Sequence, residues 1–211
     1  SYSYDQANRL VGATVDGLVS SYVYDSDGLR MRKLVAGTSE DFTWDTAGGM
    51  PLLLQDGAMR FITGPDGEPI EQIASDGTVL YYLHDQLGST RGLLDGAGHL
   101  VASYSYDPYG TRHVLAGLAY TPLGYNGQYT DAETGLLYLR ARYYDPATAQ
   151  FLTVDPLINA TGQPYDYASA NPLTRADPLG LSACNAGGPA WWYCPCNEAL
   201  NGVGSTSTAD T

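Results

Sequence analysis

The sequence predicts an all-β fold made of stacked hairpin units of about twenty residues each. Three observations predict it: a Tyr-Asp phase, a Gly or Asn three residues after each phased Asp, and a second turn signal midway through each unit. The phase begins with Tyr2-Ser3-Tyr4-Asp5. It returns as Tyr22-Val23-Tyr24-Asp25, Phe42-Thr43-Trp44-Asp45, Tyr82-Leu83-His84-Asp85 and Tyr104-Ser105-Tyr106-Asp107. A degenerate copy sits at Thr63-Gly64-Pro65-Asp66-Gly67, and a last one at Tyr143-Tyr144-Asp145. A fixed period of this length is the mark of a repeat architecture, in which no unit buries a core alone.

Each unit is justified by its turns. Asn8, Gly28, Gly48, Gly88 and Gly110 follow Asp5, Asp25, Asp45, Asp85 and Asp107. Asp bonds the backbone just ahead of it, and Gly or Asn tolerates positive φ, which together make a β-turn. The midway signals are Asp16-Gly17, Ala36-Gly37, Asp56-Gly57, Asp76-Gly77 and Gly96 to Gly98, the short hairpin chemistry. Between turns, residues alternate: Tyr22 and Tyr24 share a face, and so do alternate residues of Thr78-Val79-Leu80-Tyr81-Tyr82. Stacked units should then set Tyr over Tyr in a ladder with wet hydroxyls.

Composition agrees and excludes some functions. The chain has 211 residues, 18 Tyr and 25 Gly, and a net charge of -13. That surface repels phosphate backbones, so no nucleic-acid partner is expected. No stretch is long and apolar enough to span a bilayer as a helix. The chain enters in the middle of the pattern at Ser1, and so is expected to be a piece of a longer polypeptide whose targeting signal lies upstream. Its three cysteines, Cys184, Cys194 and Cys196, all fall near the end, so the body uses neither disulfides nor thiolate metal sites. No metal and no cofactor is expected.

From residue 81 onward longer motifs appear: His84 to Arg91, Tyr106-Asp107-Pro108-Tyr109-Gly110, Gly127-Gln128-Tyr129, Asp131 to Gly135, Leu139 to Pro146, and Asn171-Pro172 through Leu181. On these residues the chain resembles the Tyr-Asp (YD) repeats of Rhs proteins, closed by the Rhs repeat-associated core region. The resemblance covers roughly residues 1–181. It implies three parts: YD repeats over 1–80, the core region over 81–181, and a variable tail over 182–211 in the effector position. It also implies a fold, a sheet that spirals into a hollow shell with the core curled inward as a plug. Relatives include bacterial polymorphic toxins, C components of insecticidal toxin complexes, and teneurins. The implied place of action is outside the cell or at the envelope. The implied partner is the chain's own tail, with an immunity or delivery protein and a glycan or cell-surface ligand as further candidates.

Chemistry is expected at the end of the core. In the bacterial relatives the core ends in Pro-x-x-x-x-Asp-Pro-x-Gly-Leu, which Pro172 to Leu181 match throughout. The resemblance implies a single-turnover, aspartyl-type self-cleavage between Leu181 and Ser182, carried by Arg142, Asp155 and Asp177. Two neighbouring carboxyls cannot both ionise freely, so one keeps a proton for the developing oxyanion or the leaving amine while the other activates water, and the titration belongs to the pair. Arg142 would hold the pair in register. Against this stands the plain reading of Asp145-Pro146, Asp155-Pro156 and Asp177-Pro178 as strand punctuation. A rival chemistry has the Ser182 hydroxyl attack the preceding carbonyl.

Other signals are weaker. His84-Asp85 lacks a serine elbow and reads as a ladder member. Asp25-Ser26-Asp27-Gly28 starts like a calcium loop but has Ala36 where the last ligand should be. Asn159-Ala160-Thr161 is a formal glycosylation sequon. Arg140 and Arg142 share a face at strand spacing, where pairing with acidic groups is the plain alternative to catalysis. The tail carries Trp191-Trp192-Tyr193 and is too short for its own core. The alternative for the whole chain is a non-catalytic adhesive or carbohydrate-binding surface module, with a sugar-active enzyme ranked last.

Overall fold

The computed structural model describes residues 1–65 and 67–185. Twelve strands form one antiparallel meander in which each strand pairs with the next. They are β1 (Tyr2–Tyr4), β2 (Leu10–Val15), β3 (Leu18–Tyr24), β4 (Arg30–Val35), β5 (Thr38–Asp45), β6 (Leu52–Asp56), β7 (Met59–Thr63), β8 (Pro69–Ile73), β9 (Val79–His84), β10 (Thr90–Leu94), β11 (Leu100–Tyr106) and β12 (Arg112–Gly117). The predicted all-β class holds. The sheet stays open, with β1 and β12 at its edges, and runs without a break through residues 80 and 81.

The turn chemistry explains why the meander repeats. At Asp25 the backbone N–H bonds Leu29 O at 3.0 Å and Gly28 N–H returns to Asp25 O at 3.2 Å. The carboxylate then accepts the N–H groups of Asp27 and Leu29. Asp5, Asp85 and Asp95 build the same turn. The third residue after each Asp sits at positive φ: 62° for Asn8, 84° for Gly28, 73° for Gly88 and 81° for Gly98. A side chain with Cβ is strained there, which is why Gly or Asn recurs. The degenerate copy keeps this backbone turn with Gly64 in the Asp position and loses only the carboxylate.

Two details differ from expectation. Asp16-Gly17 and Ala36-Gly37 are two-residue hairpin turns with both residues at positive φ. The signals at Asp76-Gly77 and Gly96 to Gly98 instead close the longer turn, from Ala74 to Thr78 and from Asp95 to His99. Gly48 is not at positive φ, so the Asp45 copy leaves the pattern although its carboxylate still accepts Ala47 N–H.

The remaining chain is the plug. It has a small sheet of β13 (Tyr129–Thr130), β14 (Leu137–Tyr138), β15 (Tyr143–Asp145) and β16 (Gln150–Phe151). A one-turn helix follows, α1 (Ile158–Thr161), and then a two-strand pair, β17 (Arg175–Ala176) with β18 (Cys184–Asn185). The main core lies between the sheet and the plug. Leu10, Tyr22, Phe42, Phe61, Leu93 and Tyr104 from the sheet bury against Leu123, Tyr129, Leu136, Tyr138 and Tyr143. The other face of the sheet leaves Val19, Val23, Ile62 and Leu83 exposed, as period-two alternation requires.

The expected tyrosine ladder is a correction. The rings interlock with the plug: Tyr22 with Tyr143, Phe42 with Tyr129, Trp44 with Tyr138, Tyr106 with Tyr125. Their hydroxyls are not wet. Tyr24 donates to Leu10 O, Tyr104 to Ala119 O, Tyr106 to Thr90 O, and Tyr82 bonds Gln72 and Thr121. A second layer was available to cover these rings, and burial of aromatic area outweighs hydration of one hydroxyl that finds a protein partner. Tyr22, Tyr82 and Tyr104 are buried, while Tyr2, Tyr4 and Tyr81 of the same sheet stay exposed. His84 stacks on Tyr82, with ring centroids 5.5 Å apart, and its ring nitrogens meet Gly88 O and Pro69 O, so it serves packing.

One buried charge cluster pins the plug to the sheet. Arg30 on β4 is fully buried; its Nη1 donates to Asp131 Oδ2 at 2.6 Å and to Tyr143 Oη at 2.8 Å. Its guanidinium lies 4.3 Å from the Phe42 ring centre, 4.5 Å from that of Tyr138 and 4.9 Å from that of Tyr129. Lys33 Nζ reaches Glu40, Glu133 and Asp131 at 3.2, 3.3 and 3.4 Å.

Candidate functional site

The site lies where three separate plug segments meet. The first is the connection between β14 and β15. Arg140 there has φ of 62°, and Leu139 N–H bonds Arg142 O at 3.0 Å. Residues 140 to 142 therefore form a turn, and the expected strand spacing of Arg140 and Arg142 is a correction. A left-handed residue reverses the chain, so the two side chains reach different targets. Arg140 meets carbonyls rather than carboxylates: Pro178 O at 2.9 Å, Pro51 O at 3.0 Å, and the Gln128 amide oxygen. Arg142 turns to the acidic pair.

The second segment brings Asp155, which starts the turn into α1. Its Oδ1 accepts Leu157 N–H at 2.7 Å, the bond expected of an Asp-Pro turn. Its Oδ2 accepts the Thr161 hydroxyl at 3.0 Å. The third segment, after β17, brings Asp177. Its Oδ1 accepts Leu181 N–H at 2.9 Å and Ser182 N–H at 3.1 Å. Arg142 Nη2 joins the two, 3.4 Å from Asp155 Oδ2 and 3.5 Å from Asp177 Oδ2. All three side chains are buried, at 3 % exposure for Arg142, 4 % for Asp155 and 2 % for Asp177. The three residues singled out in sequence are thus together. Asp145, the third Asp-Pro step, is elsewhere, and its carboxylate serves only its own turn with Ala147 and Thr148.

Electrostatics follow from burial. Burial pushes the Asp177 carboxyl up to about 6, against the lowering pull of the Leu181 N–H, Arg142 and the Ser182 N–H, while Asp155 adds to the rise. Arg142 is pushed down by burial, and Asp177 and Asp155 resist the shift. Its guanidinium carbon lies 3.6 Å from the centre of the Phe151 ring. Its Nη1 is buried and has no hydrogen-bond partner among the described residues.

The segment from Pro178 to Leu181 is clamped along its length. Leu179 O accepts Ala141 N–H at 3.1 Å, and Gly180 O accepts Arg142 Nε at 2.5 Å. Gly180 has φ of 67°, and a Cβ there would stand 2.9 Å from Leu139 O and 3.1 Å from Arg142 N. Only glycine fits so close to that turn, which explains the Gly of the motif physically. Beside it opens a cavity of about 450 Å³ whose lining includes Arg9, Asp25, Pro51, Arg140, Leu179 and Leu181.

Sequence reasoning missed Thr161. Its hydroxyl belongs to the formal sequon, and the signal that could have found it is its place six residues after Asp155, at the end of the one-turn helix that follows the Asp155-Pro156 step. Cys184 is disulfide-bonded. Cys194, Cys196 and the Trp191-Trp192-Tyr193 run lie outside the described residues. Among the described residues no group of three or more His, Cys, Asp and Glu is arranged to hold a metal, and no helix is long and apolar enough to cross a membrane.

Comparison with known proteins places this geometry. The family model described as Teneurin YD-shell matches residues 61–172, more than half of the chain. The chain is 32% identical to the probable deoxyribonuclease RhsB of Dickeya dadantii, covering 88% of the chain and 12% of that protein. It is 28% identical to the double-stranded DNA deaminase toxin A of Burkholderia cenocepacia, covering 95% of the chain and 17% of that protein. It is also 28% identical to the tRNA3(Ser)-specific nuclease WapA of Bacillus spizizenii, covering 85% and 8%. The chain thus spans less than a fifth of each of these relatives. In the crystal structure of TcdB2-TccC3-Cdc42 the same fold appears, with a TM-score of 0.67 and 23% identity over 85% of the chain and 10% of that one. The turn grammar, the sheet with its plug and these matches agree: the chain belongs to the teneurin YD-shell family of Rhs and Tyr-Asp repeat proteins.

Proposed function

We propose that the chain is the closing end of an encapsulating shell of the polymorphic-toxin type, and that it cuts its own backbone between Leu181 and Ser182. The scaffold half of this reading is supported by the relatives' names. They denote a deoxyribonuclease, a DNA deaminase and a tRNA nuclease, yet each matches this chain over most of its length. A part shared by proteins of such different activities is suited to carrying an effector rather than to being one. On this reading the partner is the tail from Ser182 onward, and the place of action is outside the producing cell.

The self-cleavage half rests on one observation: Ser182 N–H, the amide to be broken, donates to Asp177 Oδ1 at 3.1 Å. That carboxyl sits on the leaving nitrogen, and burial raises its proton affinity. Asp177 is therefore the acid that protonates the departing amine. Asp155, held by Leu157 N–H and the Thr161 hydroxyl, takes the proton from a water. The water adds to the Leu181 carbonyl carbon, the C–N bond breaks, and the products are a carboxyl at Leu181 and an amine at Ser182. Arg142 Nε holds Gly180 O and its Nη1 is an unspent donor; on this reading that donor takes charge that develops on the Leu181 carbonyl oxygen. The tethered substrate needs no binding step.

Intact mass of the expressed chain tests this. Two species are expected, one ending at Leu181 and one starting at Ser182, together heavier than the chain by one water. A chain that stays whole through prolonged incubation overturns the reading. Ser182→Ala is expected to cut within about two-fold of wild type, because a water route does not use the hydroxyl. Loss of cutting in that variant would establish the acyl-shift rival.

The reaction also has a predictable pH limb. A carboxyl whose folded-state value is raised keeps its proton below about 6 and loses it as pH climbs past that value. If Asp177 is the acid, the cutting rate should fall by up to about ten-fold per pH unit above 6. Chain refolded from inclusion bodies into buffers from pH 5 to 9 shows this on a denaturing gel; a rate that rises over the same range would reassign Asp177 as the base.

A further inference from the structure

We propose that the cut site goes on to bind what it has cut: Asp177 is a receptor for a peptide's N-terminal ammonium, and its occupant is the new Ser182 terminus of the chain's own tail. This rests on the self-cleavage reading above. Three observations carry it. Asp177 Oδ1 already holds the Ser182 nitrogen at 3.1 Å, from a carboxyl that is 2 % exposed. The strand just past the bond, β18, pairs with β17 just before Asp177, in the register Ala176 to Cys184 and Arg175 to Asn185. The bond therefore lies inside a hairpin loop, and breaking it leaves the ladder in place. Finally, Cys184, Cys194 and Cys196 all lie on the tail side of the bond, so no disulfide between residues of this sequence ties the tail to the sheet and plug.

At neutral pH the new carboxyl gives up its proton and the new amine gains one, so scission adds one negative and one positive charge. Before scission a single cation, Arg142, serves both Asp155 and Asp177. The ammonium supplies a second cation at contact distance from Asp177 Oδ1, alongside one new carboxylate at Leu181. The groups facing Asp177 are Arg142 from the β14–β15 turn, Asp155 from the start of α1, and Tyr167. Among these groups Arg142 is the one cation, and it is shared with Asp155. A truncated partner in a buried, charge-assisted contact of this kind is lost mainly through faster dissociation.

A free α-amino group titrates near about 8, and a buried carboxylate at contact distance raises that value. Retention should therefore hold while the amine is charged and fail as it deprotonates. The wild-type chain, verified as cut by intact mass, is run on size-exclusion chromatography at pH 7.5 and pH 10, with circular dichroism to follow the body. The tail is expected to co-elute at pH 7.5 and to leave at least about ten-fold faster at pH 10. Equal retention at both values, or a tail already lost at pH 7.5, overturns the inference and leaves self-cleavage standing. An uncut chain overturns both. Should the body unfold at pH 10, a second measurement decides. Reductive ¹³C-methylation marks only the amines of Ser1, Ser182 and Lys33, the chain's single lysine. A Ser182 midpoint above about 9 supports the pair, and one near 8 overturns it.

Discussion

A chain carrying Asp155→Asn is expected to fold normally and stay uncut, with its cutting rate lower by about a hundred-fold to ten-thousand-fold. Asn keeps the shape of the side chain and one of its two acceptor oxygens but not its charge. Its amide oxygen can still accept Leu157 N–H or the Thr161 hydroxyl, and Arg142 keeps Asp177 as a counter-charge. The ion pair with Arg142 and the ability to take a proton from water are gone. Asp177→Asn is expected to give the same loss by the opposite route. Its oxygen still accepts the Leu181 and Ser182 N–H groups, but it has no proton to return to the leaving nitrogen. Intact mass and a thermal melt on each variant read both halves: an uncut chain that melts with the wild type supports the assignment. Cutting at a wild-type rate in either one removes that residue from the mechanism.

How much of this was legible in sequence depends on how local each feature is. The Asp5, Asp25 and Asp85 turns were readable because all their hydrogen bonds fall within five residues, so the Asp and the Gly or Asn record the whole turn. Arg142, Asp155 and Asp177 are not local, and composition alone could not have joined them. The motif ending at Leu181 did so by resemblance, and its glycine has a physical reason in the approach of Gly180 to Leu139 O. The tyrosine ladder was misread because alternation identifies a face but not what covers it. Covered by the plug, the rings pair across layers and their hydroxyls find carbonyls. Thr161 was invisible because a hydroxyl beside Asn and Ala looks like a modification signal, and its bond to Asp155 needs the turn at Pro156 and α1 between them. Arg30 was missed entirely. Followed by Met31, Arg32 and Lys33, it reads as part of a solvated basic strand, and its true partner Asp131 lies 101 residues away.

That missed residue should be the costliest single change to stability. Arg30→Met keeps the length and apolar body of the side chain among Phe42, Tyr129 and Tyr138 but leaves Asp131 fully buried with only Lys33 Nζ at 3.4 Å. Removing one member of a buried pair costs about 3–5 kcal/mol, since the remaining charge loses its compensation. A midpoint drop of about 10 °C follows for a chain of this size. Adding Asp131→Leu should restore most of the loss, because two apolar groups in an aromatic setting no longer strand a charge. Arg32 is the internal control. It stands two residues on, across from Asp41, with both side chains more than half exposed, and Arg32→Ala should move stability by no more than about 0.5 kcal/mol. Urea unfolding of the four chains separates the cases. If Arg30→Met unfolds no more easily than Arg32→Ala, the cluster is not what fixes the plug, and the seam of rings from Tyr22 to Tyr106 must hold it alone. If the predicted order appears, the consequence reaches the cutting site. Tyr138 and Tyr143 bound the turn that carries Arg142, and Arg30 bonds both of their hydroxyls, one through its backbone N–H and one through Nη1. A loosened Arg30 then loosens the Arg142 turn, and scission should slow in proportion to the fraction of chains whose plug has left the sheet.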